Sequence, residues 1–233
     1  MKTSDTAHNS NVIDLFTRKP YVSRDEARFI RLSLELDGIE MLYSNESNND
    51  RLFSLKILAW GLRANGEVTG LVPWLNALIP CNEIHDPIHG RWEGYYDPGV
   101  DEIFFDAPMH KVIELETAAE YFDYICESPD EVIQELPDTL GTHAVFSDKE
   151  HKTLILQEII SWRLHNDGSI LGMLIDPSKV ESTPVLPGDE CLYPAQSKNN
   201  FRYFFQHHIA NKIKSEDPDA LAAMSLLVEE SSR

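Results

Sequence analysis

Two segments of this chain, 102 residues apart, carry the same β-hairpin pattern. In one, an apolar run leads through Asn65-Gly66 into a second apolar run, and in the other Asp167-Gly168 occupies the turn. Asn-Gly and Asp-Gly pairs between apolar runs are typical of two-residue hairpin loops, because both residues tolerate a positive φ. A type I′ loop would pair Trp60 with Leu71, and the second hairpin would have the equivalent register.

The two hairpins align without a gap. Identical residues occupy five pairs of positions: Ile57/Ile159, Trp60/Trp162, Leu62/Leu164, Gly66/Gly168 and Gly70/Gly172. No turn rule requires a glycine four residues after the turn, so Gly70 and Gly172 favour two related halves, about 50–110 and 140–195. The alternative is that any hairpin with a tryptophan and such a turn shows this similarity. Under either interpretation, both tryptophans are expected in the core.

Further β-structure is predicted on both sides of the first hairpin. Asp97-Pro98-Gly99 is a turn sequence between residues 90–96 and 102–105, which predicts a third hairpin. Residues 30–36 alternate apolar and polar side chains, and this period of two favours a strand. The alternative is a helix that ends at Gly38.

Helix signals complete the predicted fold. Capping boxes predict two short acidic helices in the middle of the chain, over 117–126 and 128–136. Apolar residues recur every four positions over 201–213, and Pro218 can open a helix over 218–228, so we expect a C-terminal αα-hairpin. The predicted class is therefore α+β, with predominantly antiparallel β-hairpins.

The domain organisation follows from composition. Residues 1–20 are rich in Ser, Thr and Asn and are expected to form a flexible tail, and 21–230 to form a single compact α+β domain. No run approaches the roughly 18 apolar residues of a membrane span, and no export signal is visible. Three cysteines, Cys81, Cys126 and Cys191, fit reduced thiols better than a disulfide framework, which predicts a cytoplasmic protein.

The net charge of −19 restricts the classes of partner. Phosphate binding needs clustered Lys and Arg, so nucleic-acid binding is not expected, and the same charge argues against anionic membrane surfaces. Residues 114–138 contain nine acids and no Lys or Arg. Glu120, Asp123 and Glu127 are therefore predicted to form an acidic face for a partner protein with a basic surface. A homo-oligomer remains an alternative.

The function favoured by these features is a non-enzymatic binding or adaptor protein. No motif of a P-loop NTPase, Rossmann enzyme, α/β-hydrolase or HExxH metalloprotease is present. The alternative functions are a metal-dependent hydrolase or a small-ligand-binding protein with its site in residues 81–97. A third hypothesis is a nucleic-acid mimic, for which only the net charge speaks.

The candidate metal ligands are Cys81, His85 and His89. On a helix, their spacing of four would place a thiolate and two imidazoles on one face and leave a coordination position for water. Pro80 and Pro87 argue against a regular helix, so the alternative is a buried free cysteine near surface histidines. No cofactor is predicted apart from a divalent metal at these residues.

The candidate ligand pocket consists of Arg91, Trp92, Tyr95 and Tyr96. Aromatic walls with a few polar groups are typical of small-molecule sites. The alternative is the edge of an ordinary core. Arg63 and His165 occupy equivalent places in the two hairpins, and related halves could bring them together at an interface.

Overall fold

The computed structural model describes residues 24–44, 46, 51–86, 90–121, 128–148, 150, 153–180 and 190–206. Within these ranges the chain is mostly β, with four antiparallel sheets in a propeller-like ring and two α-helices. The predicted α+β class is therefore wrong. None of the helices in these ranges has the length and apolar character needed to cross a membrane.

Two stretches of strands follow one another along the chain. The first half, residues 24–104, contains the helix α1 (Arg24–Ala27) and the strands β1 (Phe29–Leu34), β2 (Glu40–Ser44), β3 (Phe53–Lys56), β4 (Ala59–Arg63), β5 (Val68–Trp74), β6 (Ala77–Pro80), β7 (His85–Asp86), β8 (Gly90–Asp97) and β9 (Glu102–Phe104). The helix α2 (Met109–Tyr121) follows. The second half, residues 128–206, contains β10 (Val132–Pro137), β11 (Thr142–Asp148), β12 (Thr153–Glu158), β13 (Ser161–His165), β14 (Ile170–Ile175), β15 (Leu192–Pro194) and β16 (Phe201–Gln206).

The two halves pair their strands in the same order. One sheet of the first half runs β1-β4-β5-β6, and its counterpart runs β10-β13-β14-β15. The other sheet places β2 between β3 and β8, with β7 and β9 added beside β8, and its counterpart places β11 between β12 and β16. The shared pairing extends over residues 29–97 and 132–206. An internal duplication of the sequence stays a prediction.

The register irregularities also correspond. In the β1–β4 pair the register shifts after Phe29, and in the β10–β13 pair it shifts after Val132, so Ile30 and Ile133 are the extra residues. Each half also has a second register shift, in the β2–β8 pair of the first half and in the β11–β16 pair of the second half. Bulges bend a strand and redirect side chains, so matching bulges give the two halves the same twist.

A carboxylate after the first strand of each half holds the buried tryptophan. Glu35 Oε2 accepts a hydrogen bond from Trp60 Nε1 at 2.5 Å, and its Oε1 accepts from the backbone N–H groups two and four residues further on. Asp138 Oδ1 accepts from Trp162 Nε1 at 2.9 Å, and its Oδ2 accepts from the equivalent two N–H groups. Each carboxylate thus satisfies the polar atom of a tryptophan with no exposed surface.

The hairpin turns differ from the expected type I′ loops. Gly66 and Gly168 have positive φ, whereas Asn65 and Asp167 do not. The N–H of Gly66 donates to the carbonyl of Arg63, which makes a type I turn followed by a left-handed glycine. This loop is one residue longer than a type I′ loop and shifts the pairing. Trp60 therefore pairs with Gly70, and the predicted partner Leu71 is wrong.

Gly70 and Gly172 make room for an aromatic ring from the facing sheet. A Cβ at Gly70 would lie 2.9 Å from the ring of Tyr95, and one at Gly172 would lie 3.0 Å from the ring of Phe204. Tyr95 packs edge-on against Trp60 with ring centroids 4.9 Å apart, and Phe204 packs against Trp162 at the same distance. The spacing of these glycines therefore reflects sheet-on-sheet packing.

The core is continuous between the halves. One cluster combines Leu58 and Leu71 of the first half with Trp162 and Phe204 of the second half. Another lies within the first half and includes Trp60, together with Leu115 of α2. The shared cluster therefore joins the β1-β4-β5-β6 sheet to both sheets of the second half, whereas the sheet that contains β2 and β8 packs in the other cluster.

Three predicted helices need correction. Helix α2 begins eight residues before the predicted 117–126 segment. The predicted helix over 128–136 is wrong, because residues 132–137 form a strand that pairs with β13. The predicted helix over 201–213 is wrong over 201–206, where the chain pairs with β11. The rest of the predicted αα-hairpin lies outside the described residues. Sheet pairing satisfies the backbone in these segments and overrides local helix signals.

The other β predictions agree with the structure. The third hairpin is confirmed, since β8 pairs with β9 and Asp97 lies opposite Glu102. The strand predicted over 30–36 is confirmed as β1, which pairs with β4. Gly38 lies at φ +86° in the turn after β1, in the left-handed region that favours glycine.

Candidate interaction surface

Strand β9 and helix α2 connect the two halves and lie at the edge of the first. Leu115 is buried in the first-half core. The Lys111 ammonium is also buried and donates to the carbonyl of Leu34 at 3.1 Å. Ser33 donates to the carboxylate of Glu114 at 2.6 Å. These contacts fix which side of α2 faces the sheet and therefore which residues face outward.

The outward side of this region exposes four large apolar side chains. Ile103, Phe105, Met109 and Ile113 are 52%, 63%, 71% and 56% exposed, and we call them the exposed apolar segment. Ile103 and Phe105 both lie against Gly94 of β8, and Phe105 contacts the Trp92 ring edge-on, with centroids 5.8 Å apart. Met109 and Ile113 lie one turn apart on the same side of α2. Single exposed apolar side chains are ordinary, but a clustered group is typical of binding sites.

Exposed carboxylates accompany the exposed apolar segment along the chain. Asp101, Glu102 and Asp106 are exposed on its β9 side, and Glu116 and Glu120 are exposed further along α2. The acids of α2 lie towards its C-terminal end, and no acid lies in its first turn. A helix macrodipole favours the opposite arrangement, so this distribution does not serve helix stability. Such local conflicts are expected at functional positions.

The predicted acidic face is only partly described. Glu120 is exposed on α2, whereas Asp123 and Glu127 lie outside the described residues. Of the acids further along, Asp130 and Glu131 are exposed, but Glu135 and Asp138 do not extend this face. Glu135 of β10 is partly buried and pairs with Arg163 at 2.9 Å, and Asp138 holds Trp162.

The predicted pocket residues lie in different environments. The Tyr95 side chain is buried, and its hydroxyl accepts a hydrogen bond from the N–H of Gly70 at 2.9 Å. Burial raises the pKa of this hydroxyl. Trp92 is half-buried against Tyr95 and Phe105. Tyr95 is therefore a core residue, and Trp92 contributes the base of the exposed apolar segment.

The two remaining pocket candidates lie near opposite ends of β8. The exposed Arg91 pairs with Glu93 at 2.8 Å. The Tyr96 hydroxyl donates to Asp101 at 2.8 Å, and this bond raises the pKa of Tyr96. The structure thus does not gather the four residues around one cavity.

Two of the candidate metal ligands, Cys81 and His85, lie in different environments. Cys81 is fully buried in the first-half core, and burial raises the pKa of its thiol. His85 is exposed on β7, and His89 lies outside the described residues. In the part of the chain that the structure describes, no group of three His, Cys, Asp or Glu side chains could hold a metal ion.

Arg63 and His165 do not converge. Arg63 is buried, forms an ion pair with Glu83 and lies over the ring of Phe29, 5.1 Å from its centroid. His165 Nδ1 lies 2.8 Å from the carbonyl oxygen of Asp130. Each residue therefore interacts within its own half.

Two features were missed at the level of sequence. The exposed apolar segment was overlooked because α2 was predicted to begin at residue 117. The helical spacing of Met109 and Ile113 is the signal that could have revealed it. The second feature is Arg202, the extra residue at a bulge of β16, which donates to Ser147 and was missed because a helix was predicted there. Ser44 and Ser147, which lie at equivalent strand ends, are the corresponding signal for that position.

Comparisons with known proteins do not assign the chain to a family. No protein-family model matches the sequence, no curated protein matches it, and no solved structure matches the fold.

Proposed function

We propose that the protein is a non-enzymatic binding module that holds a partner protein at the β9–α2 surface. The partner would present apolar side chains flanked by Lys or Arg. The observation that carries this proposal is the exposed apolar segment with the exposed carboxylates that accompany it. Apolar contact would supply affinity, and the acids would select a basic partner and accelerate its association.

The size of the apolar contribution is sufficient for binding. Fully burying one large aliphatic or aromatic side chain is worth about 1.5–3 kcal/mol. The four residues of the exposed apolar segment are already partly covered, so each would contribute less than this. Their sum still exceeds what surface ion pairs provide, which is about 0–1 kcal/mol each.

The contacts that hold α2 against the first half favour the same function. Leu115 and Lys111 anchor α2 to the first half, so Met109 and Ile113 are held in place before a partner arrives. Preorganised side chains lose less conformational entropy on binding.

The proposal includes the cytoplasm as the location. Cys81 and Cys191 are both free and buried. Free thiols in a stable core are typical of reducing compartments.

The test uses a synthetic helical peptide of Leu and Lys with helical spacing, and a matched peptide with Glu in place of Lys. We expect the Lys peptide to bind and to shift the amide resonances of residues 103–113, and the Glu peptide to bind at least tenfold more weakly. The double variant Met109→Ser/Ile113→Ser should weaken binding at least tenfold. Glu116→Lys/Glu120→Lys should weaken it and reduce its salt dependence.

Leu156→Ser is the control, because Leu156 is an equally exposed apolar residue of the second half. Equal binding of the Lys peptide to the wild type and the Met109/Ile113 double variant would overturn the proposal. A dimer that Ile113→Ser abolishes would assign the surface to a second copy instead. Binding that appears only after removal of residues 1–20 would assign it to the chain's own N-terminal segment.

A further inference from the structure

Equivalent bulges in the two halves carry residues of opposite charge. In the β2–β8 pair the register shifts between Leu42 and Tyr43, and Glu93 is the extra residue of β8. In the β11–β16 pair it shifts between Val145 and Phe146, and Arg202 is the extra residue of β16. Bulges often redirect side chains next to functional sites.

The first-half bulge is internally neutralised. Ser44 donates to Glu93 Oε1 at 2.6 Å, and Arg91 Nε donates to the same oxygen at 2.8 Å. Arg91 Nη2 also lies 3.3 Å from the Ser44 hydroxyl. These two hydrogen bonds hold the pKa of Glu93 below its usual value. The carboxylate therefore has its counter-charge within the strand.

The second-half bulge has no such counter-charge. Arg202 Nε donates to the hydroxyl of Ser147, the counterpart of Ser44, at 3.0 Å. At the place of Arg91 stands Asn200, whose side-chain amide donates to the Ser147 carbonyl at 3.1 Å. Within the described ranges, no carboxylate pairs with Arg202, and its two terminal amino groups make no hydrogen bond. The guanidinium of Arg202 therefore keeps N–H donors that an external anion can engage.

A cavity of about 540 Å³ opens at this guanidinium. Its lining residues come from β11, β12, β16 and the segment that leads into β16: Ser147, Asp148, Ile155, Asn199, Asn200 and Arg202. Small-molecule sites usually have volumes of about 300–1,000 Å³, with an apolar wall and a few polar groups. Ile155 provides such a wall. Asp148 Oδ1 accepts from the N–H of Glu150 within the turn, so this acid is partly engaged.

We propose that this cavity binds a small ligand through a carboxylate or phosphate group that pairs with Arg202. A guanidinium presents two parallel N–H donors that match the oxygens of either anion. The amides of Asn199 and Asn200 lie beside the same space and provide further donors. The site lies in the second half and is independent of the β9–α2 surface.

The experiment is a titration of the full chain with inorganic phosphate and, separately, with acetate, at constant ionic strength maintained with chloride. The side-chain amide resonances of Asn199 and Asn200 report binding. We expect saturable shifts with a Kd of about 1–10 mM for the preferred anion, since a single charged group supplies only about 3–4 kcal/mol. Tighter binding of phosphate would identify a phosphorylated ligand, and tighter binding of acetate a carboxylic acid.

Variants at the equivalent positions separate a site from a general charge effect. Arg202→Gln should raise the Kd at least tenfold, and Arg202→Lys should retain part of the affinity. Arg91→Gln, in the neutralised first-half bulge, should leave the Kd unchanged. A Kd that Arg202→Gln leaves unaltered, or shifts that do not saturate with either anion, would overturn the proposal. The amide spectrum of each variant shows whether the fold is retained.

Discussion

The two halves of this molecule have the same strand order and matching bulges, but they differ wherever a side chain reaches solvent or the other half. The buried tryptophans and the carboxylates that hold them correspond in position and partner. At the equivalent bulges, by contrast, Glu93 is neutralised and Arg202 is not. Backbone pairing and core packing therefore constrain the framework, while the edges are free to acquire different chemistry.

Even within the shared framework, different residues accept hydrogen bonds from equivalent backbone N–H groups. The N–H of Gly70 donates to the Tyr95 hydroxyl at 2.9 Å, whereas the N–H of Gly172 donates to Gln196 Oε1 at 3.3 Å. In the second half Phe204 takes the place of the Tyr95 ring and has no hydroxyl. The required feature is an acceptor for a buried N–H, and two different side chains supply it.

The tips of the two tryptophan hairpins also have different surroundings. A Cβ at Gly66 would meet nothing within 4 Å, whereas one at Gly168 would lie 2.7–2.9 Å from atoms of Arg28 and Phe29. Arg28 Nη1 also donates to the carbonyl of Asn166 at 2.7 Å. The space beside Gly66 is thus open, whereas Gly168 packs against Arg28 and Phe29 of the first half and belongs to the joint between the halves.

The largest expected effect is the loss of either tryptophan. Trp60→Ala and Trp162→Ala should each lower the free energy of unfolding by about 3–5 kcal/mol, because a large cavity forms and the carboxylate of Glu35 or Asp138 loses its donor. Trp162 lies in the cluster shared by both halves, so its removal should reduce hydrogen-exchange protection in both. Trp60→Ala should affect mainly the first half. Urea unfolding and hydrogen exchange measure this, and equal loss of protection in both halves for both variants would contradict it.

Replacing the turn glycines by alanine should destabilise the protein to different extents. Gly66→Ala should cost about 1–2 kcal/mol, the usual cost of a left-handed non-glycine residue. Gly168→Ala has the same φ cost and also forces a clash with the backbone at Arg28, which should add about 1–3 kcal/mol. Urea midpoints of the two variants provide the comparison. Equal destabilisation would show that the second tip is not part of the joint.

The two acceptors for the glycine N–H groups can be removed separately. Tyr95→Phe leaves the N–H of Gly70 buried without its acceptor and should cost about 1–3 kcal/mol. Gln196→Ala should cost less, because its hydrogen bond is longer and only partly buried. Thermal unfolding of both variants tests this order. A Tyr95→Phe variant as stable as the wild type would refute the role assigned to its hydroxyl.

The smallest expected effect concerns pH. A hydrogen bond from His110 and the nearby Lys111 charge hold the pKa of Asp37 below its usual value. Asp37 therefore contributes stability above the unfolded pKa of about 3.9 that is lost as the pH falls through the lower folded pKa. The second half has Leu140 at the equivalent position, two residues after its carboxylate. Asp37→Asn should reduce stability at neutral pH by about 0.2–1 kcal/mol and flatten its dependence on pH below about 4. An unchanged acid limb of the unfolding curve would contradict this assignment.

Part of the fold could be predicted because it depends on neighbouring residues. The Asn65-Gly66 and Asp167-Gly168 turns, the β8–β9 hairpin and strand β1 all follow from local turn chemistry and a period of two. The register of the tryptophan hairpins could not be predicted, because a type I turn with a left-handed glycine and a type I′ loop share the same preferred residues.

The candidate sites were less accessible to sequence reasoning than the strands. Tyr95 and Trp92 were predicted as pocket residues; their rings lie in contact, but Tyr95 is buried in the core and Trp92 only half-buried. Arg202 gains its significance only from Ser147, 55 residues away, and from a bulge that no local pattern specifies. Contacts over such separations depend on how sheets pack, which a single sequence does not display.

The sequence by itself determined the hairpins, the aromatic core residues and the excess of negative charge, because these depend on residue type and local spacing. Tertiary structure alone decided that residues 132–137 and 201–206 are strands, since β13 and β11 offer backbone partners there. It also decided which carboxylates form hydrogen bonds or ion pairs within the protein and which face solvent. The physical reason is that a helix over either segment would leave one edge of β13 or β11 without a backbone partner, which costs more than capping boxes and apolar spacing supply.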